Sequence, residues 1–189
     1  MEMNYLINGK SINLLKEMIG KNFLSLIHEP FTFRAYSYGL VILNIDNELY
    51  ELTSKETSMD YFESKEDICL QDINHINNID NSKFAGNKSI SETLNMKILN
   101  ITIANLSSKI ISKDKNQKTY SIKETRAIIF TFDDNYQIFF EFDPLMEIID
   151  INRGYNLKDK LYNSIEEFND NFETNFNILD SKIEFINLN

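Results

Sequence analysis

AIIFTFDDNYQIFFEF, residues 127–142, is the stretch that decides the fold class. β-Branched and aromatic residues flank Asp133-Asp134-Asn135 on both sides, the composition of two strands joined by a polar turn. Residues 40–52, LVILNIDNELYEL, repeat the arrangement, with Asp46-Asn47 as a two-residue turn between strand-forming runs. Hairpins of this kind predict antiparallel pairing.

On the N-terminal side of these hairpins, residues 3–7 read as a short strand and Asn8-Gly9 as a turn. Ser11 is placed to cap a helix that carries Ile12, Leu15, Met18 and Ile19 on one side and stops at Gly20. Residues 23–27 read as a buried strand, interrupted by Pro30. The aromatics Phe31, Phe33, Tyr36 and Tyr38 keep period two on each side of a slip at Arg34-Ala35, the pattern of a bulged strand. Residues 59–62 and 68–73 read as a further strand pair turning through the charged 63–67, and 74–88 as a long loop rich in Asn, Asp and Ser.

Ser89 and Glu92 have capping-box spacing, which predicts a short helix through Met96. Residues 97–103 follow as a strand, 109–123 as an exposed loop or ragged hairpin, and 146–151 as a strand. Asn156 or Ser164 caps a helix bearing Leu157, Leu161, Ile165 and Phe168; residues 182–188 close the chain as a strand. These elements sum to an α+β fold: antiparallel hairpins and meanders in one or two curved sheets, with short helices near 11–19 and 157–170 on one face. The expected halves are 1–80 and 81–189, each running helix, strand, loop, hairpin and return strand. That order fits an internal duplication or one continuous domain.

With 189 residues, 42% of them hydrophobic, the chain has enough apolar material for a core. A lone cysteine excludes a disulfide scaffold and a CxxC zinc or redox site. The opening MEMNYLINGK lacks a charged-then-apolar leader pattern, and no apolar run reaches membrane-spanning length, so a cytoplasmic protein is expected. The 25 Asn, 27 Ile and 16 Lys against 3 Arg and no Trp are the bias of AT-rich codons. The net charge of −10 divides evenly, −5 on each side of Lys97. Such acidity repels phosphates and excludes general nucleic-acid binding. It suits a basic protein partner steered in electrostatically.

Catalytic motifs do not assemble. His28 ends an apolar strand beside Glu29 and Pro30, His75 lies in Asn-rich sequence, and neither accompanies a nucleophile elbow. Cys69, between Ile68 and Leu70, alternates as a buried structural thiol would. Asp150-Ile-Asn152-Arg-Gly154 starts like a calcium loop. However, Tyr155 stands where the loop needs glycine and Leu161 where it needs a bidentate acid, so the segment reads as a turn. No metal site and no cofactor is expected. Lys109, Lys113, Lys115, Lys118, Lys123 and Arg126 form the basic segment, with only Tyr120 as an aromatic, too few for a stacking platform.

Asp133, Asp134, Glu141, Asp143, Glu147 and Asp150 fall in 18 residues free of Lys and Arg, and residues 46–80 carry ten acids against Lys55 and Lys65. The expected partner-binding residues are Asp133, Asp134, Glu141, Asp143 and Glu147, joined by Tyr36 and Tyr38 as outward-facing anchors. The leading functional expectation is a non-enzymatic, inhibitory protein-binding protein that uses acidic hairpin surfaces. In size, acidity and lack of catalytic groups it is similar to bacterial toxin-immunity proteins and phage-encoded anti-defence inhibitors, a likeness of format and not of motif. The alternatives are a small metal-dependent hydrolase or nuclease using acids of the second hairpin, and a homo-oligomeric structural protein.

Overall fold

The computed structural model of the chain describes residues 2–30, 36–61, 64–113, 118–162 and 176–188. In chain order the elements are β1 (Glu2–Tyr5), α1 (Gly9–Met18), β2 (Asn22–His28), β3 (Tyr36–Tyr38), β4 (Leu40–Ile45), β5 (Glu48–Tyr61) and β6 (Ser64–Ile76). There follow β7 (Ile90–Ser112), β8 (Thr119–Phe132), β9 (Gln137–Phe142), β10 (Ile148–Gly154) and β11 (Phe176–Asn187). Among the described residues the fold is mostly antiparallel β, with 65% in strand, 13% in helix and eleven strands in one sheet, which overturns the α+β expectation.

The helix expected from Ser89 to Met96 is the first part of β7, paired with β2. Leu94 and Asn95 both stand opposite the single residue Leu24, and Asn95 takes a φ of 51°. Leu94, Met96 and Ile98 still alternate inward across this bulge; Leu94 and Ile98 stand four apart, a spacing that a strand face and a helix face share. Other elements are longer than read: β5 and β6 run on as one hairpin to Tyr61 and Ser64. Residues 158–162 are helical, whereas Phe31, Phe33, Ser164, Ile165 and Phe168 lie outside the described residues.

The pairings run β3-β10-β9-β8-β7-β2-β4-β5-β6. β7 belongs to both parts of the sheet, pairing β2 through residues 90–97 and β8 through residues 98–111. The other crossing is Gly39, between β3 and β4. Its φ of +67° disfavours any side chain, and its N–H donates to the Glu147 carbonyl while its carbonyl accepts from Ser54. The circuit β4-β2-β7-β8-β9-β10-β3 therefore closes on itself, and the hairpin β5–β6 continues from β4.

Inward residues of this circuit alternate as a half-buried sheet requires. Ile128, Phe130 and Phe132 of β8, Phe140 and Phe142 of β9, Val41 and Leu43 of β4 and Leu26 of β2 share one core cluster. The boundary at 80/81 falls in the loop before β7, and this cluster draws on residues from both sides of it. The opposite face of β7–β8–β9 is covered by Leu157 and Leu161 at the helix of residues 158–162.

α1 is capped by Asn8, not Ser11: the Asn8 side chain accepts from the Ser11 N–H at 2.9 Å. Ser11 is buried and points to β6, where its hydroxyl donates to Asp72 at 2.6 Å and accepts from the Ile73 N–H at 2.9 Å. Burial pushes the Asp72 carboxyl up, but bonds from Ser11, Asn8, Asn74 and the Ile73 N–H outweigh it and hold the group below its ordinary value. A lowered folded-state value means stability that is present above the unfolded value of 3.8 and lost as pH falls through the folded one. Asp72→Ala is expected to cost about 2 kcal/mol at neutral pH, the worth of a few net hydrogen bonds. Urea titrations should show that difference shrinking in acid; a loss independent of pH would separate α1 docking from the carboxylate.

Candidate functional site

The seven residues expected to bind a partner separate into three groups. The first lies at the β8–β9 turn. Asn135 adopts a φ of 64° there, its N–H donates to the Phe132 carbonyl, and the Tyr136 N–H donates to Asp134 Oδ1 at 2.9 Å. An asparagine tolerates that left-handed conformation, and an aspartate two residues before a backbone N–H can accept from it, so the sequence Asp-Asp-Asn-Tyr forms a fixed tip. Asp133 and Asp134 are exposed on it.

Two tyrosines flank these acids. Tyr136 and Tyr155 meet edge to face, with centroids 5.6 Å apart and planes at 79°, and the Tyr155 hydroxyl donates to Asp134 Oδ2 at 3.3 Å. The neighbouring Asp134 carboxylate pushes the Tyr155 phenol above its ordinary value, because a second negative charge beside it is unfavourable. Tyr155 remains 58% exposed. Tyrosine at this place was missed in the sequence reading. The only signal was its position directly after Gly154, which ends β10 and pairs with Gln137 at the foot of β9.

The first hairpin delivers its own tip to the same end. Phe23 pairs with Ile45 and with Met96, and Ile98 pairs with Phe132. The turn at Asp46-Asn47, with φ values of 51° and 68°, therefore lies three strand spacings from the turn at Asp133, about 14 Å across the sheet. Asp46 is exposed and accepts from the Asn22 backbone and side chain. Between the tips, Lys21 is bound to Glu48 at 3.0 Å, and Lys97 is exposed. The end as a whole stays net acidic.

The second group is Glu141, Tyr36 and Tyr38. Tyr36 pairs with Asp150, and Asp150 with Glu141, so these three share a row across β3, β10 and β9. Glu141 is only 9% exposed, which removes it from the expected surface. Tyr36 and Tyr38 meet edge to face at 5.2 Å, and their hydroxyls are 3.3 Å apart. Their strand is tied to the interior through Glu29, a buried residue whose carboxylate accepts from the Tyr38 and Ala85 N–H groups.

The third group, Asp143 and Glu147, sits beyond the other end of β9. Glu147 accepts from the Glu56 N–H at 2.9 Å, and Asp143 accepts from the Leu145 N–H at 2.8 Å. These carboxylates face Cys69, which is buried. Burial first, and the charges of Glu56, Glu147 and Asp143 next, push its thiol up to about 12, which makes it a poor nucleophile. Glu141 lies about 13 Å along β9 from Gln137, so no single face gathers the acids of both ends of the hairpin.

Both histidines are accounted for within the fold. His28 is buried at the end of β2, its Nε2 3.6 Å from Glu92, which also binds Arg153. His75 lies on β6, not in coil, and meets the Tyr50 ring edge to face at 5.4 Å. Arg126, read as part of an exposed basic loop, is buried on β8 and bound to Glu124 at 3.1 Å. Among the described residues, no group of three or more His, Cys, Asp or Glu side chains is placed to hold a metal ion. Among the same residues, no helix is long and apolar enough to cross a membrane. Comparison with protein-family models, curated proteins and solved structures finds no match to this chain.

Proposed function

We propose that this chain is a non-enzymatic, cytoplasmic binding protein that inhibits a basic protein partner by docking it at the shared end of the two hairpins. The observation that carries the reading is the composite tip: Asp133 and Asp134 exposed beside the Tyr136–Tyr155 pair, with Asp46 on the neighbouring turn. Tyrosine supplies contact area at low entropic cost, and a fixed turn loses little freedom on binding. Rim acids add orientation and speed of encounter, more than affinity. The other charged groups support the same reading by their partners: Glu124 and Arg126 pair with each other within β8, and Glu92 of β7 binds Arg153 of β10.

Affinity capture from native lysate tests the reading, with wild-type chain and Asp133→Lys/Asp134→Lys as parallel baits. A protein of basic isoelectric point should be retained by the wild type and depleted at least about tenfold on the variant, the scale of like-charge juxtaposition at an interface. Equal recovery on both baits would remove the hairpin end from the account.

A further inference from the structure

A cavity of about 380 Å³ opens between α1, β7 and β11, away from the hairpin tips. Leu6, Ile7, Ile12, Ile103, Ile186 and Leu188 supply its apolar lining, all aliphatic. Its size is that of a site for a small ligand, and a lining without aromatic rings suits an alkyl chain.

The polar residues of the lining are Lys16, Asn105 and Asn187. Asn105 is 8% exposed. The Ile7 N–H donates to the Thr125 hydroxyl at 2.9 Å, so the hydroxyl proton goes on to Asn105 Oδ1, also at 2.9 Å. That relay fixes the amide with its oxygen occupied, and its Nδ2 makes no hydrogen bond among the described residues. Asn187 alternates with Ile186 and Leu188 and turns its side chain to the other face of the sheet, where its Oδ1 accepts from Thr102 at 2.8 Å and Asn100 at 3.3 Å, so it adds no donor to the cavity. Lys16 adds a cation on an exposed position of α1. A donor-only, cationic rim above an aliphatic floor selects an anionic acceptor on a hydrocarbon chain.

We propose that this cavity binds a medium-chain aliphatic carboxylate, with the chain among the aliphatic side chains and the carboxylate on the donors of Lys16 and Asn105. The probe is sodium decanoate, followed through the methyl resonances of the isoleucines in the full chain, with decylamine as the cationic counterpart of equal length. Decanoate should shift Ile7, Ile12, Ile103 and Ile186 saturably at millimolar concentration, while decylamine leaves them unmoved. Lys16→Met alters an exposed position and should weaken decanoate about tenfold, the loss expected on removing a charge-assisted bond. The proposal is overturned if those methyls do not move, if decylamine binds equally, or if Lys16→Met keeps wild-type affinity.

Discussion

Phe130→Ala is expected to lower the free energy of unfolding by about 4 kcal/mol, the largest effect of any single truncation in the core. Phe130 is fully buried on β8, and its ring meets Phe23 of β2 at 5.5 Å and Phe140 of β9 at 5.8 Å, both edge to face. β2 and β9 lie on opposite sides of β7 in the strand order, so this ring joins the two parts of the sheet across the interior. Truncation removes both the transferred apolar area and the aromatic contacts, and a closed circuit of strands collapses poorly into the gap. Urea titration with an unchanged slope measures the loss. Leu99→Ala, at a side chain 49% exposed, serves as the reference and should stay within about 0.5 kcal/mol of wild type. A Phe130 loss as small as the reference would place the core elsewhere.

Arg126→Met is expected to cost about 3–5 kcal/mol at neutral pH, because it leaves the Glu124 carboxylate buried without its guanidinium. Burial pushes the Glu124 carboxyl above its ordinary value, and the charge and hydrogen bond of Arg126 oppose that push. An acid with a raised folded-state value binds more protons folded than unfolded. Its penalty is therefore absent below the unfolded value of 4.5 and develops as pH rises through the folded one. Without Arg126 the folded value climbs further, so the variant should lose stability most steeply between about pH 5 and 8. Adding Glu124→Leu should restore most of the loss, since an apolar pair of similar volume replaces the ion pair at little cost. A pH-independent loss, or no rescue, would contradict a buried pair.

Much of the sheet was legible because hairpins advertise themselves locally. Asp46-Asn47 between apolar runs and Asp133-Asp134-Asn135 between aromatic ones both form the turns their residues favour. β7 was not legible at its start, because Ser89 and Glu92 imitate a helix cap and Leu94 and Ile98 stand four apart, a spacing that a strand face and a helix face share. Ser11 and Asn8 compete for the same cap, and the winner depends on Asp72, which lies 61 residues away from Ser11 along the chain and draws the serine hydroxyl to β6. Distance in sequence hid the site in the same way. The acids of 133–150 read as one cluster, yet strand β9 carries Glu141 into the interior and Asp143 to the far end. Tyr155 became a partner of Asp134 only through the pairing of β9 with β10.

Association kinetics at low and high salt test the central claim most directly, with the captured partner against wild type and Asp133→Lys/Asp134→Lys. If the composite tip steers and holds a basic partner, the variant should associate at least about tenfold more slowly at low salt, and the gap should narrow as salt screens the charges. Identical association rates for the two proteins at low salt would contradict it.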